Sequence, residues 1–188
     1  MKKIGIYGGT FDPIHHAHLI LGRQACEQLG LDRLIFVPAA LSPFKKATHA
    51  SGESRMSMLR AAIEGELMFT VNDCELRRPP PSYSIDTVLQ IREREPDAEL
   101  FWLIGADNVD RLSNWHRFED LNKLVKFVVL DRASSELKSP HLIVQRNIDI
   151  SATDIRNRVA SGRSIRYLVP RAVEEIIRRE KLYRESAT

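Results

Sequence analysis

The sequence predicts an α/β protein, a parallel β-sheet flanked by helices, in a single domain over residues 1–188. Three observations carry this. Short runs that are apolar at consecutive positions, rich in β-branched and aromatic residues, recur along the chain. Segments with helical spacing lie between them, and prolines and glycines fall at the joints. Consecutively apolar runs suit strands covered on both faces, and their alternation with helices implies parallel pairing through right-handed crossovers. A chain of 188 residues suits one domain with a full core.

Taken in order, "KIGIYGG" is the first strand. Residues 16–29 follow as a helix with Leu19, Gly22, Cys26 and Leu29 at helical spacing. "LIFVPA" (34–39) is the second strand, and "ESRMSMLRAAIE" (53–64) is rich in helix formers. "MFTVNDCEL" (68–76) alternates more than the other runs and reads as a strand nearer an edge. Pro79, Pro80 and Pro81 then break the chain. "SIDTVLQIRERE" (84–95) places Ile85, Val88, Leu89 and Arg92 on one helical stripe. "ELFWLIGAD" (99–107) and "KFVVLDR" (126–132) are further buried strands. From Ser151 the chain reads as a helical C-terminal segment, with Pro170 at a first helical position.

Composition narrows the classes. Apolar residues make up 43% and charged residues 28%, as in ordinary globular proteins. No apolar run approaches the roughly 18 residues of a membrane span, and the N-terminal run stops at glycines too early for a secretion signal. Two cysteines, Cys26 and Cys74, lack metal-type spacing and fit a reduced, cytoplasmic setting. The net charge of +3 admits anionic ligands, but the basic residues are dispersed rather than clustered, which argues against nucleic acid.

Open parallel sheets bind ligands beyond the carboxyl ends of their strands. That rule selects Gly8 to His18, Pro38 to Lys46, Gly105 to Asp107, and Arg132. Within "YGGTFDPIHHAHLILG" (7–22), Gly8 and Gly9 let backbone N–H groups approach a ligand while the next helix aims its positive end at the same place. Neither G-x-x-x-x-G-K-[ST] nor G-x-G-x-x-G is present, so the kinase-like and dinucleotide-oxidoreductase readings lose their main support. His15 and His18 are three apart, on one helical face in line with Gly22. A zinc site would use such a pair but needs a third ligand, and H-E-x-x-H is absent. His49, His116 and His141 lie far away in unremarkable contexts. The pair could also be core or cap histidines. Grouped with backbone amides and a helix terminus, it is best explained as contacts to phosphate oxygens. In "DISATDIRNRV" (149–159), Ser151 can cap a helix with Asp154 at the third helical position, which sets Thr153 and Arg156 in the first turn as a second anion-binding end. Lys45 and Lys46 add positive charge after the second strand.

These segments resemble a family. "GGTFDPIHHAH" is similar to the G-G-T-F-D-P-x-H-x-G-H signature of bacterial nicotinate mononucleotide adenylyltransferases, in the nucleotidylyltransferase superfamily. "ISATDIR" resembles I-S-S-T-x-I-R, "PPSYSIDT" (80–87) resembles P-S-Y-T-x-D-T, and "WLIGADNVDRLSNWHRFEDL" (102–121) resembles the family's I-G-A-D segment. The motifs run in order from Lys3 to about Tyr183. The resemblance implies a Rossmann-like domain that joins ATP to nicotinate mononucleotide, gives deamido-NAD and pyrophosphate, and requires Mg²⁺ with the ATP. It implies catalytic roles at the phosphates for His15, His18 and Arg156. It places Gly8, Gly9, Thr10, Phe11, Lys45, Gly105, Asp107, Ser151 and Thr153 around ATP, and Tyr83, Ser84, Thr87 and Trp115 around nicotinate mononucleotide. No protein-held metal is implied, and homo-oligomerisation is left open. Three positions depart from the pattern: Ala17 and Ala152 replace a glycine and a serine, and Phe44 stands where the loop after the second strand carries histidine. The competing readings are a sister adenylyltransferase for nicotinamide mononucleotide or phosphopantetheine, and a nucleotide-binding regulator without turnover.

Overall fold

The computed structural model describes residues 1–43, 47–133 and 139–184. Its centre is a six-stranded sheet in which every pairing is parallel: β1 (Lys3–Gly9), β2 (Arg33–Pro38), β3 (Phe69–Val71), β4 (Glu99–Gly105), β5 (Lys126–Asp131) and β6 (Leu142–Gln145). The spatial order is β3-β2-β1-β4-β5-β6. The chain builds outward from β1 through β2 to β3, then returns to the other side of β1 with β4. That reversal puts a crevice at the carboxyl ends of β1 and β4, where the connections diverge.

The five strands expected from sequence all form, with the third at an edge and only three residues long. The sixth, "LIVQ", went unread because it is short and partly exposed, without the continuous apolar run that marks the others. Side chains alternate across the sheet as the strand period requires. Ile4, Ile6, Ile35, Val37, Trp102 and Ile104 face one apolar layer, while Tyr7, Leu34, Phe36, Phe101 and Leu103 face the other.

Helix α1 (His16–Leu29) buries Ala17, Leu21, Gly22, Ala25 and Cys26, a stripe rotated from the one read in sequence, with Leu19 and Leu29 only at its margin. Gly22 permits close approach: a Cβ there would sit 2.9 Å from Leu34 Cδ2. The helix ends at Gly30, whose φ of 62° is left-handed, as helix C-caps require. Helix α2 (Gly52–Ala62) is capped by Ser51, which accepts the Ser54 N–H at 3.0 Å. Helix α3 (Ser84–Arg94) buries Ile85, Thr87, Val88 and Ile91. Leu89, expected on the core stripe, points outward at 36% exposure, because the buried set advances by threes from Ile85. A 3-10 helix (Ala106–Asn114) and α4 (Phe118–Leu124) follow β4; neither has an apolar period long enough to be seen in sequence. The C-terminal segment is helical as expected, in α5 (Ala152–Ala160) and α6 (Arg171–Arg179). Pro170 is the N-cap of α6 rather than its first helical residue, a shift of one position. Among the described residues, no helix is long and apolar enough to cross a membrane.

Candidate active site

A cavity of about 820 Å³ opens at the crevice between β1 and β4. It is within the usual range for small-molecule sites. Its walls bring together most of the residues singled out in sequence: Gly8, Gly9, Thr10, Phe11, His15 and His18 after β1, Gly105 and Asp107 after β4, Ser151, Thr153 and Arg156 at the start of α5, and Tyr83, Ser84 and Trp115 on the remaining side. Lys45, with Phe44 and Lys46, lies outside the described residues.

Gly8 and Gly9 end β1, and here space rather than backbone conformation demands glycine. A Cβ on Gly8 would meet the Trp102 ring at 2.8 Å, and one on Gly9 the Phe11 ring at 2.9 Å. The loop therefore lies flat against two aromatic side chains and exposes its backbone to the cavity.

The histidines are not aligned along a helical face. His15 is the N-cap of α1, with extended backbone at φ −148° and ψ 170°, and His18 is the third helical residue. Their rings stack with centroids 3.7 Å apart. His18 Nδ1 accepts the His15 backbone N–H at 3.3 Å, so the pair also closes the helix end, as the cap reading had it. This bond fixes the tautomer: a neutral His18 carries its proton on Nε2, which is left as a donor. His15 is 1% exposed, and its Nδ1 is buried without a partner among the described residues. Burial, then the positive field of Arg132, then His16, push the His15 pKa down to about 3. His18 is held well below its ordinary value by burial, His15 and Arg132.

The sign of this linkage gives a prediction. Above pH 6.5 His15 is neutral in both folded and unfolded chains. As the pH falls from 6.5 toward 3, the unfolded chain takes up a proton that the fold refuses, so stability is lost. At pH 5 the loss from His15 is about 2 kcal/mol. Urea midpoints near pH 7.5 and pH 5 measure it. His15→Asn, which retains a residue suited to an N-cap, should shrink the difference; an unchanged difference would remove His15 as its source.

Across the cavity, Ser151 accepts the Asp154 N–H at 3.1 Å and caps α5 as the sequence implied. Arg156 Nη1 donates to the Asp12 carbonyl at 2.8 Å and Nη2 to Thr153 Oγ1 at 3.1 Å, which aims the guanidinium along the β1 loop. Arg132, one residue beyond β5, also lines the cavity and is steadied by donating to the Ile150 carbonyl at 2.7 Å. The result is a pocket with two helix N-termini, two arginines and neutral imidazole donors. Such a set suits an extended anion.

The far side is aromatic. Trp115 stands edge-on to Trp102 and Phe127, at interplanar angles of 89° and 83°, which fixes its ring. Its indole N–H is buried with no acceptor among the described residues. Tyr83 packs on His116 with centroids 4.3 Å apart. Ser84 is the first residue of α3, beside that helix's free N–H groups. Thr87 is not in the wall: it is fully buried, donates to Glu75 Oε1 at 2.6 Å and accepts from Arg78 at 2.6 Å. One turn into α3, its side chain faces the core rather than the cavity, where Glu75 takes its place. The Glu75 carboxyl is raised by burial, against which the hydrogen bonds of Thr87 and Ser82 act.

Sequence reasoning missed several contributors. His49 and His116, set aside as remote, both line the cavity. The buried Arg55 donates to the carbonyls of Thr10, Ala39 and Ala50 at 2.8, 2.7 and 3.3 Å, tying the loop after β1 to both ends of the loop between β2 and α2. Nothing in the local pattern set it apart from Arg60 on the same helix.

Comparison with known proteins follows the same lines. The Cytidylyltransferase-like family model matches residues 6–158. A protein of Exiguobacterium sibiricum named "Probable nicotinate-nucleotide adenylyltransferase" is 42% identical over 186 residues, covering 96% of this chain and 98% of the relative. A protein of the same name from Opitutus terrae is 42% identical over 193 residues, covering 98% and 99%. The fold matches the Plasmodium falciparum nicotinic acid mononucleotide adenylyltransferase complexed with NaAD, with a TM-score of 0.83 at 18% identity, over 97% of this chain and 98% of that one. The chain belongs to the cytidylyltransferase-like family and, within it, to the nicotinate-nucleotide adenylyltransferases.

Proposed function

We propose that this enzyme transfers the adenylyl group of ATP to nicotinate mononucleotide, giving deamido-NAD and pyrophosphate. The observation that carries the reading is the joining of an anion-binding half and an aromatic half in one cavity. The mononucleotide phosphate is itself the nucleophile. It attacks the α-phosphorus in line, and pyrophosphate leaves. No side-chain nucleophile is needed, so the protein acts by holding two polyanions together and by stabilising charge on the departing phosphates. In this reading the amides of Gly8, Gly9 and Thr10, beside Phe11, receive the ATP phosphates. His15 supplies its unpartnered ring nitrogen, His18 its Nε2–H, and Arg156 its guanidinium. Ser151 and Thr153 bring the α5 terminus to the same phosphates, and Gly105 and Asp107 line the nucleotide. Lys45 is proposed at the triphosphate from sequence alone. Tyr83, Ser84 and Trp115 take the nicotinate mononucleotide, while Thr87 supports them through Glu75.

The donor set fits Mg²⁺ that arrives with the nucleotide phosphates. Among the described residues, no three His, Cys, Asp or Glu side chains stand together to hold a metal. Asp107 lines the same cavity as the proposed phosphate donors. Bound there, Mg²⁺ would neutralise phosphate oxygens while keeping much of its water. The two buried cysteines are free thiols, which supports a reduced cytoplasmic setting.

The test is pyrophosphate release with ATP and a panel of mononucleotides and phosphopantetheine. Nicotinate and nicotinamide differ by a carboxylate against an amide, and an amide NH₂ facing a donor pocket is mispaired. Ser84 and the N–H groups opening α3 form such a pocket, and the helix terminus favours the negative ring substituent. A mispaired buried polar group costs about 1–3 kcal/mol, so kcat/KM should favour nicotinate mononucleotide by roughly tenfold to a hundredfold or more. Trp115→Ala should weaken both alike, since a ring stacked on the pyridinium does not sense the substituent. Equal values, or an amide preference, would place the enzyme in the nicotinamide-using branch.

A further inference from the structure

Asp12 follows the glycine loop and is 4% exposed. Its carboxylate accepts the His49 N–H at 2.6 Å, the Ala50 N–H at 3.1 Å and the Tyr183 hydroxyl at 2.7 Å. Its backbone carbonyl is the atom to which Arg156 donates. One residue thus joins the loop before α2, the C-terminal segment and a guanidinium of the cavity wall.

Tyr183 reaches it by an unusual path. Beyond α6, Lys181 and Tyr183 take left-handed φ angles of 54° and 60°, with the Leu182 N–H donating back to the Ile177 carbonyl at 3.0 Å. Non-glycine residues adopt that conformation at an energetic cost and keep it only where their surroundings hold them. Here Leu182 and Tyr183 pack against the apolar layer, and Glu180 accepts the Ser54 hydroxyl at 2.7 Å. The phenol is kept protonated by burial and by the Asp12 carboxylate, so its hydroxyl is a donor.

We propose that Tyr183 is a positioning residue for adenylyl transfer: it fixes Asp12 and, through the Asp12 carbonyl, the guanidinium of Arg156. The proposal rests on the reading that Arg156 acts on the phosphates. Arg156 has two anchors, and the other, Thr153, is exposed at the end of a helix. The Asp12 carbonyl is therefore the anchor with a buried frame, and Tyr183 completes that frame from the opposite end of the chain.

Tyr183→Phe removes one hydroxyl and keeps the ring. Its kcat should fall about tenfold, the effect of one lost charge-assisted hydrogen bond expressed in the transition state. KM for ATP and for the mononucleotide should stay within about twofold, and Tm should shift by no more than about 4 °C. In an Arg156→Ala background, adding Tyr183→Phe should change kcat by less than about twofold, because the group it positions is gone. A Tyr183→Phe enzyme with lowered Tm and unchanged kcat would reduce Tyr183 to a structural tie. Losses that multiply in the double variant would equally overturn the route through Arg156. A wild type that releases no pyrophosphate with any mononucleotide takes down the reaction itself, and the proposal with it; an active wild type matched by Tyr183→Phe takes down the proposal alone.

Discussion

His18→Ala should lower kcat for pyrophosphate release by roughly 10²–10³, the usual loss when one charge-stabilising donor is removed from a preorganised site. The expectation follows from the ring's placement. Its Nδ1 is occupied by the His15 N–H, its other nitrogen is left as the donor on a residue that lines the cavity, and stacking on His15 fixes its plane. A donor held in this way needs no reorganisation as charge builds on the leaving phosphates. The alternative is that His18 matters only as the residue closing the α1 terminus. His18→Asn separates the two: its side chain can still accept the His15 N–H, but it no longer presents an imidazole N–H at the same place. A capping role predicts near-normal turnover for His18→Asn and a lowered Tm for His18→Ala. A catalytic role predicts that both variants lose turnover while circular dichroism reports an intact fold. Normal kcat in purified His18→Ala would end the assignment.

The strands were readable because a sheet covered on both faces needs consecutive apolar residues, as in "RLIFVP" and "ELFWLIG". β6 was not, since an edge strand with exposed Leu142 needs no such run. The side of the cavity proposed to take the phosphates was legible because its residues are close in sequence and sit at helix starts, where local chemistry alone points to an anion. Thr87 was misplaced for a related reason. Proximity to Ser84 in sequence suggested a shared wall, but Thr87 lies about 4.5 Å further along the α3 axis, buried, with its hydroxyl taken by Glu75 and Arg78. Asp12 and Tyr183 escaped because the partners of Asp12 are 37 or more residues away, and Arg55 because it bridges the loop after β1 and both ends of the loop before α2. Local patterning carries no information about such pairings.

Arg55→Met should be the most destabilising single substitution in this frame. The guanidinium is 1% exposed and binds the carbonyls of Thr10, Ala39 and Ala50, with Ala40 more distant at 3.5 Å. Burial lowers its pKa, and the nearby Asp12 carboxylate opposes that shift, so the charge is retained at a desolvation penalty that the carboxylate and the carbonyls offset. Methionine fills similar volume but offers no donor. It leaves the Asp12 carboxylate without its facing charge and buried carbonyls unpaired. Removing one partner of a buried ionic network typically costs about 3–5 kcal/mol, which for a chain of this size lowers Tm by roughly 6–20 °C. Arg55→Lys keeps the charge but cannot span all three carbonyls across the two loops, so it should fall between wild type and Arg55→Met. Because the Thr10 carbonyl belongs to the proposed phosphate loop, the surviving folded fraction should also turn over more slowly. Urea and thermal unfolding of the two variants beside wild type decide the matter. A Tm drop under about 2 °C for Arg55→Met would mean that the loops hold their positions without the arginine.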